Sequence, residues 1–540
     1  MKKTAALLLL TLLTAYVHAQ TVVKGVVMCD GLPLEGVQVS DGRNMTVTDA
    51  HGRYELTADA AAEHVFMTTP SGCVPVSRDG LAPAFFERIA EGESVQKHDF
   101  LLQKEDQSTY SVIFVTDLHL TGADFKPDLE SFRSIAMPNI RKQAKKARRH
   151  GPVYTFNLGD LSHERYWYQF GYNLEDAYGT LMEADYPTLM YSVPGNHDND
   201  SAVSTENTDR DAGHLYRKVL GPEYYSVNIG GDHWLFMDDI IFENGPFKPG
   251  KVRAVGAAGS LSYSKGFTRA QMEWLEKDLS YVPDDARVFI CTHSPIISDN
   301  RRQTTFREGQ MDTLATMFSR FGKVMIWCGH MHRTDFVESD RYPGFESMIL
   351  TATSGDMWES EPDRILGIEG EDGGVCVAQF SGNGYAYDWY THHYGRKAMR
   401  VYDMNSVRDY YLGDEDIRAQ MEAYPLRTDF ADGKFTDMVM VNYWMYREGE
   451  TVQIIEKGVS LEVEKVDYED PLFNISYYLD AFLGKHPVAP SQKTVTNRHC
   501  FAAKASTSDA DVLVRVLDKD GNVIRQEKMK RPKAFGHKMK

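Results

Sequence analysis

The sequence predicts a multi-domain protein with a central layered α/β domain between a small N-terminal β-sandwich and a C-terminal β-rich domain. Three patterns carry this. Short alternating strand signals fill the chain up to about residue 105, apolar runs then alternate with amphipathic helical stretches to about residue 373, and strand signals return afterwards.

The chain opens MKKTAALLLLTLLTAYVHAQ, where Lys2 and Lys3 precede an uncharged apolar run ending in a small-residue V-H-A pattern. This reads as a secretory signal peptide over residues 1–19, which implies export to the periplasm or the extracellular space. No other stretch approaches about 20 apolar residues, so no transmembrane segment is expected. The 540 residues carry a formal charge of −18. Such an acidic surface repels long polyanions and excludes nucleic acid polymers as general partners. Six cysteines in a chain this long do not make a disulfide scaffold. Cys291 and Cys328 close apolar runs and read as buried thiols, while Cys29, Cys73, Cys376 and Cys500 are open to pairing.

Residues 20–105 hold runs such as TVVKGVVM, GVQVS and RYELTA, separated by Gly, Pro and Asp. The stretch GVVMCDGLPLEGVQVSDGRNMTVTDAHGRYEL resembles a carboxypeptidase regulatory-like sandwich. Residues 106–373 contain the strand-like runs YSVIFVTD, GPVYTFNLGD, YPTLMYSVPG, HWLFMDD, ARVFICTHS, KVMIWCGH and SMILTATS. Between them lie amphipathic segments, including 127–150 and a helix opened by Thr268 with Gln271 in capping-box position. Residues 374–540 return to strand-like runs, among them GVCVAQF, DMVMVNYW, VQIIEKG and DVLVRVLD. These define the third domain.

The chemistry sits at strand ends. Asp117 and His119 form a DxH pair closing SVIFVTD, and residues two apart on an extended chain point the same way. The arrangement recurs with Asp160 in LGD, Asn196 and His197 in PGNHD, His293 in CTHS, and His330 with His332 in CGHMH. In open α/β sheets the functional crevice lies beyond the carboxyl ends of the strands, so these groups are expected to converge there. One ion rarely needs more than three or four protein ligands. Asp117, His119, Asp160, Asn196, His293, His330 and His332 therefore suit two ions sharing a bridge, the arrangement that favours phosphoryl transfer. Mixed carboxylate, imidazole and amide ligands fit Mn, Fe or Zn better than Ca.

The blocks DLH, GDLSHE, GNHD, THS and GHMH, in this order, resemble the calcineurin-like metallophosphoesterase family. The resemblance implies a four-layer αββα sandwich, with Asp117, His119 and His332 on one metal, Asn196, His293 and His330 on the other, and Asp160 bridging. It implies that a metal-bridging hydroxide cleaves a small phosphomonoester or phosphodiester, with envelope- or glycan-derived substrates among the candidates. His197 is expected to act on the transferring group as a non-ligand, oriented by Asp198. The alternative is a catalytically inactive surface glycan-binding or scaffold protein that retains the fold.

In GDLSHE this chain carries His163 and Glu164 where many relatives have an acidic or amide residue first. His163 reads as a polar loop residue. The basic run RKQAKKARRH (141–150) reads as a solvated helix face. Substrate charge is assigned to Arg301, Arg302 and Arg333, on loops after the metal-binding strands. Asp356 and Trp358, on the acidic Gly-rich loop SGDMWESEPDRILGIEGEDGG, are expected to border the pocket. Tyr385, Tyr387 and Trp389 share one strand face and read as an interdomain packing stripe.

Overall fold

The computed structural model describes residues 21–124, 128–250, 253–297, 304–354, 365–382, 384–423, 428–478 and 497–539. The expected leader, Arg301, Arg302, Asp356 and Trp358 lie outside the described residues.

The central domain is two facing six-stranded sheets. Numbering its strands in chain order, β1 (Thr109–Val115), β2 (Val153–Asn157) and β3 (Met190–Ser192) run parallel in the first sheet. The second sheet holds β4 (Tyr225–Ile229), β5 (Asp232–Phe236), β6 (Arg287–Cys291), β7 (Val324–Cys328), β8 (Asp335–Glu338) and β9 (Phe345–Ile349), in the order β4-β5-β6-β7-β9-β8. Within it β5, β6, β7 and β9 are parallel.

The first sheet is completed by β10 (Gly374–Ser381), β11 (Gly384–Thr391) and β12 (Gly395–Arg396), in the order β3-β2-β1-β10-β11-β12. β10 pairs antiparallel with β1 from Thr109↔Ser381 to Phe114↔Cys376. This corrects the domain boundary read after residue 373. The three strands that follow it complete the first sheet of the central sandwich, β10 and β11 inside it and β12 at its edge, because β1 needs a hydrogen-bonding partner on each side.

β1 reads as a continuous apolar run because both its faces are buried. Val112 and Phe114 face the second sheet, while Ile113 and Val115 join a separate core beneath helix α1 (Met137–Ala147). That helix turns Met137, Ile140, Ala144 and Ala147 inward, an i, i+3/i+4 spacing, and leaves Lys145 and Lys146 to solvent. The outer face of the second sheet is covered by α2 (Arg269–Leu279) and α3 (Gln310–Met317) through Trp274, Leu275, Leu279 and Leu314. Layers therefore run helix, sheet, sheet, helix. Thr268 caps α2 by accepting from Gln271 N at 3.3 Å, but Gln271 Oε1 is buried without returning the bond, so the capping box is half formed.

Aromatic rings weld the two sheets. Phe114 stacks on Trp327 at 4.1 Å, and Phe156 meets Trp234 edge-on at 4.9 Å. Tyr385 meets Phe289, and Tyr387 meets Trp327 and lies under the Arg447 guanidinium. The Tyr385–Trp389 stripe is thus core between the sheets, with Arg447 of the C-terminal domain over Tyr387.

The N-terminal domain is built around strand Val22–Cys29, which pairs with Arg53–Thr57 and Phe100–Lys104, beside a four-stranded sheet through Gln38–Ser40 and His64–Met67. The C-terminal domain pairs two four-stranded sheets, one through Met438–Tyr443 and Cys500–Lys504, the other through Thr451–Glu456 and Val512–Leu517. All six cysteines are buried free thiols. Cys29 and Cys73 approach to 3.1 Å between sulfurs.

Candidate metal centre

The carboxyl ends of β1, β2 and β3 in one sheet, and of β6 and β7 in the other, open onto one crevice. The loop after β1 is zipped to the loop after β2 by Asp117 N to Gly159 O and His119 N to Asp160 O, both 3.0 Å. Among the described residues eleven non-glycine residues have positive φ, and five of them are Asp117, His119, Asp160, His330 and His332. Each costs on the order of 1–3 kcal/mol, so strain is concentrated where the side chains must converge.

Glycines make room for this convergence. A Cβ on Gly195 would lie 2.1 Å from Asp160 Oδ1, and one on Gly329 would lie 2.5 Å from Asp117 Oδ2. The glycine before Asn196 and the glycine before His330 are thus required by the ligands they flank.

Three of these side chains have one atom tied down and another left facing the crevice. Asp117 Oδ2 accepts from Thr116 Oγ1 (2.7 Å) and His330 N (2.9 Å), while its buried Oδ1 accepts no hydrogen bond. Asp160 Oδ1 accepts from His197 N at 2.8 Å, leaving Oδ2 free to face inward. His293 Nδ1 donates to Leu158 O at 2.8 Å, so Nε2 presents its lone pair to the centre. Asp239 holds this loop by accepting from His293 N at 2.8 Å and from Ser294.

The facing atoms form two groups. His332 Nε2 is 3.1 Å from Asp117 Oδ1 and 3.0 Å from His119 Nε2. His293 Nε2 is 3.1 Å from Asp160 Oδ2, 3.2 Å from Asn196 Oδ1 and 3.1 Å from His330 Nδ1. Asp160 Oδ2 also lies 3.7 Å from His119 Nε2, so it borders both groups. Donor atoms about 2.1 Å from one ion and at right angles lie about 3 Å apart, which is the spacing observed. Without a cation or protons between them these donor atoms would repel. The seven residues fit metal ions.

The electrostatics agree. Burial works against the Asp117 and Asp160 carboxylates, yet His332 and His293 respectively hold both well below the usual carboxylate range. Burial likewise opposes charge on His293, and Asp160 outweighs it, raising the ring to about 10. His330 goes the other way, driven down by burial and by Lys265.

His197 is 19% exposed at its side chain, and one of its ring nitrogens lies within 4.8 Å of ligating atoms of His119 and Asp160. Its Nδ1 is hydrogen-bonded to Glu164 Oε2, which is buried. Burial disfavours its charge, but Glu164 and Asp160 prevail and lift it to about 9. Asp198 does not orient this ring. Its carboxylate accepts from Gly195 N (3.0 Å), Leu161 N (3.3 Å) and Ser162 N (3.0 Å), because the tight turn at residues 196–198 directs it back beneath the β2 loop. Glu164 fills the role assigned to Asp198.

His163 is 4% exposed and packs on His119 (5.2 Å) and His197 (4.5 Å), so it belongs to the crevice wall rather than to a solvated loop. Arg333 brings Nε within 4.0 Å of Glu369 Oε1. Tyr263, whose hydroxyl is 3.5 Å from His330 Nε2, and the half-buried Lys265 were not marked by any motif. Both lie on a short strand (Tyr263–Lys265) whose only sequence signal is an alternating Y-S-K.

A two-sheet α/β sandwich with carboxylates and imidazoles converging at its strand ends defines a metal-dependent hydrolase. The sequence matches three consecutive family profiles: the N terminal of calcineurin-like phosphoesterase over residues 21–105, calcineurin-like phosphoesterase over 110–334, and the C terminal of calcineurin-like phosphoesterase over 348–523. The chain belongs to the calcineurin-like phosphoesterase family, with its N- and C-terminal companion domains, and is by class a phosphoric ester hydrolase. Membership implies divalent metal ions. No protein of curated function matches the chain. Among solved structures it is similar to a dimetal phosphatase from Danio rerio, at 12% identity over 52% of this chain and 95% of that one, TM-score 0.34. It is also similar to a purple acid phosphatase from yellow lupin seeds (12% identity, 67% of each chain, TM-score 0.34) and to a 5'-nucleotidase from Candida albicans (10% identity, 61% of this chain and 56% of that one, TM-score 0.29).

Proposed function

We propose that the chain hydrolyses small phosphoesters at a two-ion centre, with Asp117, His119 and His332 on one ion, Asn196, His293 and His330 on the other, and Asp160 between them. The observation that carries this is the position of Asp160 Oδ2, within 3.1 Å of His293 Nε2 and 3.7 Å of His119 Nε2. Bound ions of this kind polarise ester oxygens and acidify water. The chain's own part is to hold the seven donors in place and to deliver a proton. With Nδ1 committed to Glu164, His197 turns its Nε2 edge toward the open side, where it protonates the leaving oxygen. His163 and Tyr263 wall the crevice, and Arg333, Arg301, Arg302, Asp356 and Trp358 are assigned to binding the substrate. An inactive binding protein would have no use for five strained ligand backbones.

Export accompanies this reading: the leader at residues 1–19 supports a periplasmic or extracellular enzyme. Among the described residues no helix is long and apolar enough to cross a membrane.

The test is turnover of p-nitrophenyl phosphate and bis(p-nitrophenyl) phosphate with added Mn²⁺, alongside elemental analysis. The parent chain is expected to hold about two ions and to cleave at least one substrate. Asp160→Asn is expected to lose more than the roughly 100-fold that removal of a group outside the ligand set costs. An Asp160→Asn protein as active as the parent would sink the proposal.

A further inference from the structure

A second group of metal-ligating side chains lies at the joint between the central sandwich and the C-terminal domain. Glu369 and Glu371 sit on the loop leading into β10, and His499 stands just before strand Cys500–Lys504. One ligating atom from each lies within 4.8 Å of the others, the same convergence shown by Asp117 with His119 and His332. The residues are 0%, 0% and 3% exposed. Among the described residues no other triad of this kind lies away from the catalytic crevice.

The decisive detail is the orientation of His499. Asn442 Nδ2 donates to Glu369 O (2.7 Å) and Asp470 Oδ2 (2.8 Å), which makes Asn442 Oδ1 the acceptor end of that amide. His499 Nδ1, 2.7 Å from Asn442 Oδ1, must therefore carry the proton and donate. Nε2 is then the atom turned to Glu369 Oε2, 2.9 Å away, and although burial opposes charge on the ring, Glu369 raises it above its ordinary value, as Asp160 does for His293. Nε2 is buried and makes no hydrogen bond, because the ring's in-plane direction misses that oxygen. The catalytic crevice shows the same signature where His332 Nε2 lies 3.1 Å from Asp117 Oδ1, an oxygen that accepts no hydrogen bond. An imidazole whose second nitrogen donates to an amide oxygen is a prepared metal ligand.

Charge leads the same way. Two carboxylates in a dry interior require compensation. Glu371 receives two backbone amides, Thr334 N at 2.8 Å and Glu369 N at 3.0 Å, and the Arg333 guanidinium stands 4.0 Å from Glu369. Burial, then the Glu369 charge, still pushes the Glu371 carboxyl up to about 7.

We infer that Glu369, Glu371 and His499 form a separate, structural cation site that staples the C-terminal domain to the central sandwich. Two carboxylates and an imidazole suit Zn²⁺ or Mn²⁺ over Ca²⁺, and full burial denies the ion to substrate. The site also braces the catalytic segment. Thr334 N is held by Glu371, and Ile368 N donates to His332 O at 3.4 Å. A cation here therefore steadies the loop that carries His332.

The test is crystallographic. Crystals of the full chain grown with Zn²⁺ as the only added metal are measured at the zinc absorption edge. An anomalous peak about 2.0–2.2 Å from His499 Nε2 and from a carboxylate oxygen of each glutamate supports the site. Absence of that peak, with His499 and Glu369 closing into a direct hydrogen bond, overturns it, whether or not the crevice around Asp160 is filled. Glu371→Gln is expected to lose this peak while keeping those around Asp160, and a Glu371→Gln crystal that retains it likewise overturns the assignment. If that variant does not fold, the parent crystal decides alone.

Discussion

Replacing Gly195 by alanine is the sharpest mechanical test of how the centre is assembled. The added Cβ would stand 2.1 Å from Asp160 Oδ1 and 2.3 Å from Asp160 N, where ordinary contact begins at 3.4 Å. One of these atoms is backbone, zipped to the β1 loop through His119 N to Asp160 O at 3.0 Å, so rotating the carboxylate alone does not relieve the clash. The Asn196 turn and the Asp160 loop must separate by about 1 Å, and a misplacement of that size at a reacting centre costs on the order of 100-fold. The separation also breaks the bond from His197 N to Asp160 Oδ1. The assay is turnover of p-nitrophenyl phosphate at saturating Mn²⁺, with bound metal measured on the same sample and circular dichroism confirming the fold. A folded Gly195→Ala protein within about twofold of the parent in both turnover and metal content would refute the claim that this glycine exists for the ligands.

Three further outcomes follow from particular contacts. Glu164→Gln leaves the metal ligands untouched and removes the carboxylate behind His197, so kcat is expected to fall roughly 10- to 100-fold with metal content unchanged; a parental kcat would return the ring to another partner. Asp198→Ala removes the acceptor of three loop amides, and the expected loss is about 1–3 kcal/mol of stability, read by denaturant unfolding, with loop stability lowered before any change in the protonation of His197. Burial pushes Glu223 up to about 7 against the Arg217 guanidinium 2.7 Å away, with Asp209 adding to burial. Its folded value lies above the ordinary 4.5, so the stability it contributes is full below pH 4.5 and is lost as pH rises toward 7. Thermal melts at pH 5 and pH 8 should therefore differ less in Glu223→Gln than in the parent, and equal differences would contradict the burial argument.

What could be read from the sequence divides along a physical line. The convergence of these residues was legible because each sits just past an apolar strand, and the strand-end rule holds wherever parallel strands feed loops to one edge. The layering of the sandwich was legible in part, since β1 announces two buried faces by its unbroken apolar run. The membership of β10 to β12 was not, because an antiparallel strand carries no mark of which sheet it will join, and β10 finds β1 across about half the chain. The partner of His197 was hidden for a related reason. Asp198 is adjacent in sequence, but residues 196–198 form a tight helical turn that sends consecutive side chains in different directions, whereas Glu164 arrives from another loop. His163 escaped notice as a wall of the crevice because polarity in a loop sequence does not say which way the loop faces.

The same geometry explains why the centre's strain is tolerated. Five ligand residues at positive φ, each at on the order of 1–3 kcal/mol, would together consume much of the stability of an ordinary domain. They persist because the surrounding contacts over-determine them. Asp117 and Asp160 each have one oxygen fixed by protein donors, His293 is fixed by Leu158 O, and its backbone is fixed by Asp239. With one atom of each group anchored, the remaining atoms cannot turn away from one another when no cation is present. Protons then take the place of metal charge, which is why Asp160 is held so low while His293 is raised to about 10. Ion binding on this scaffold exchanges protons for metal without rebuilding the site, so the folding energy that organises the crevice is spent before substrate arrives.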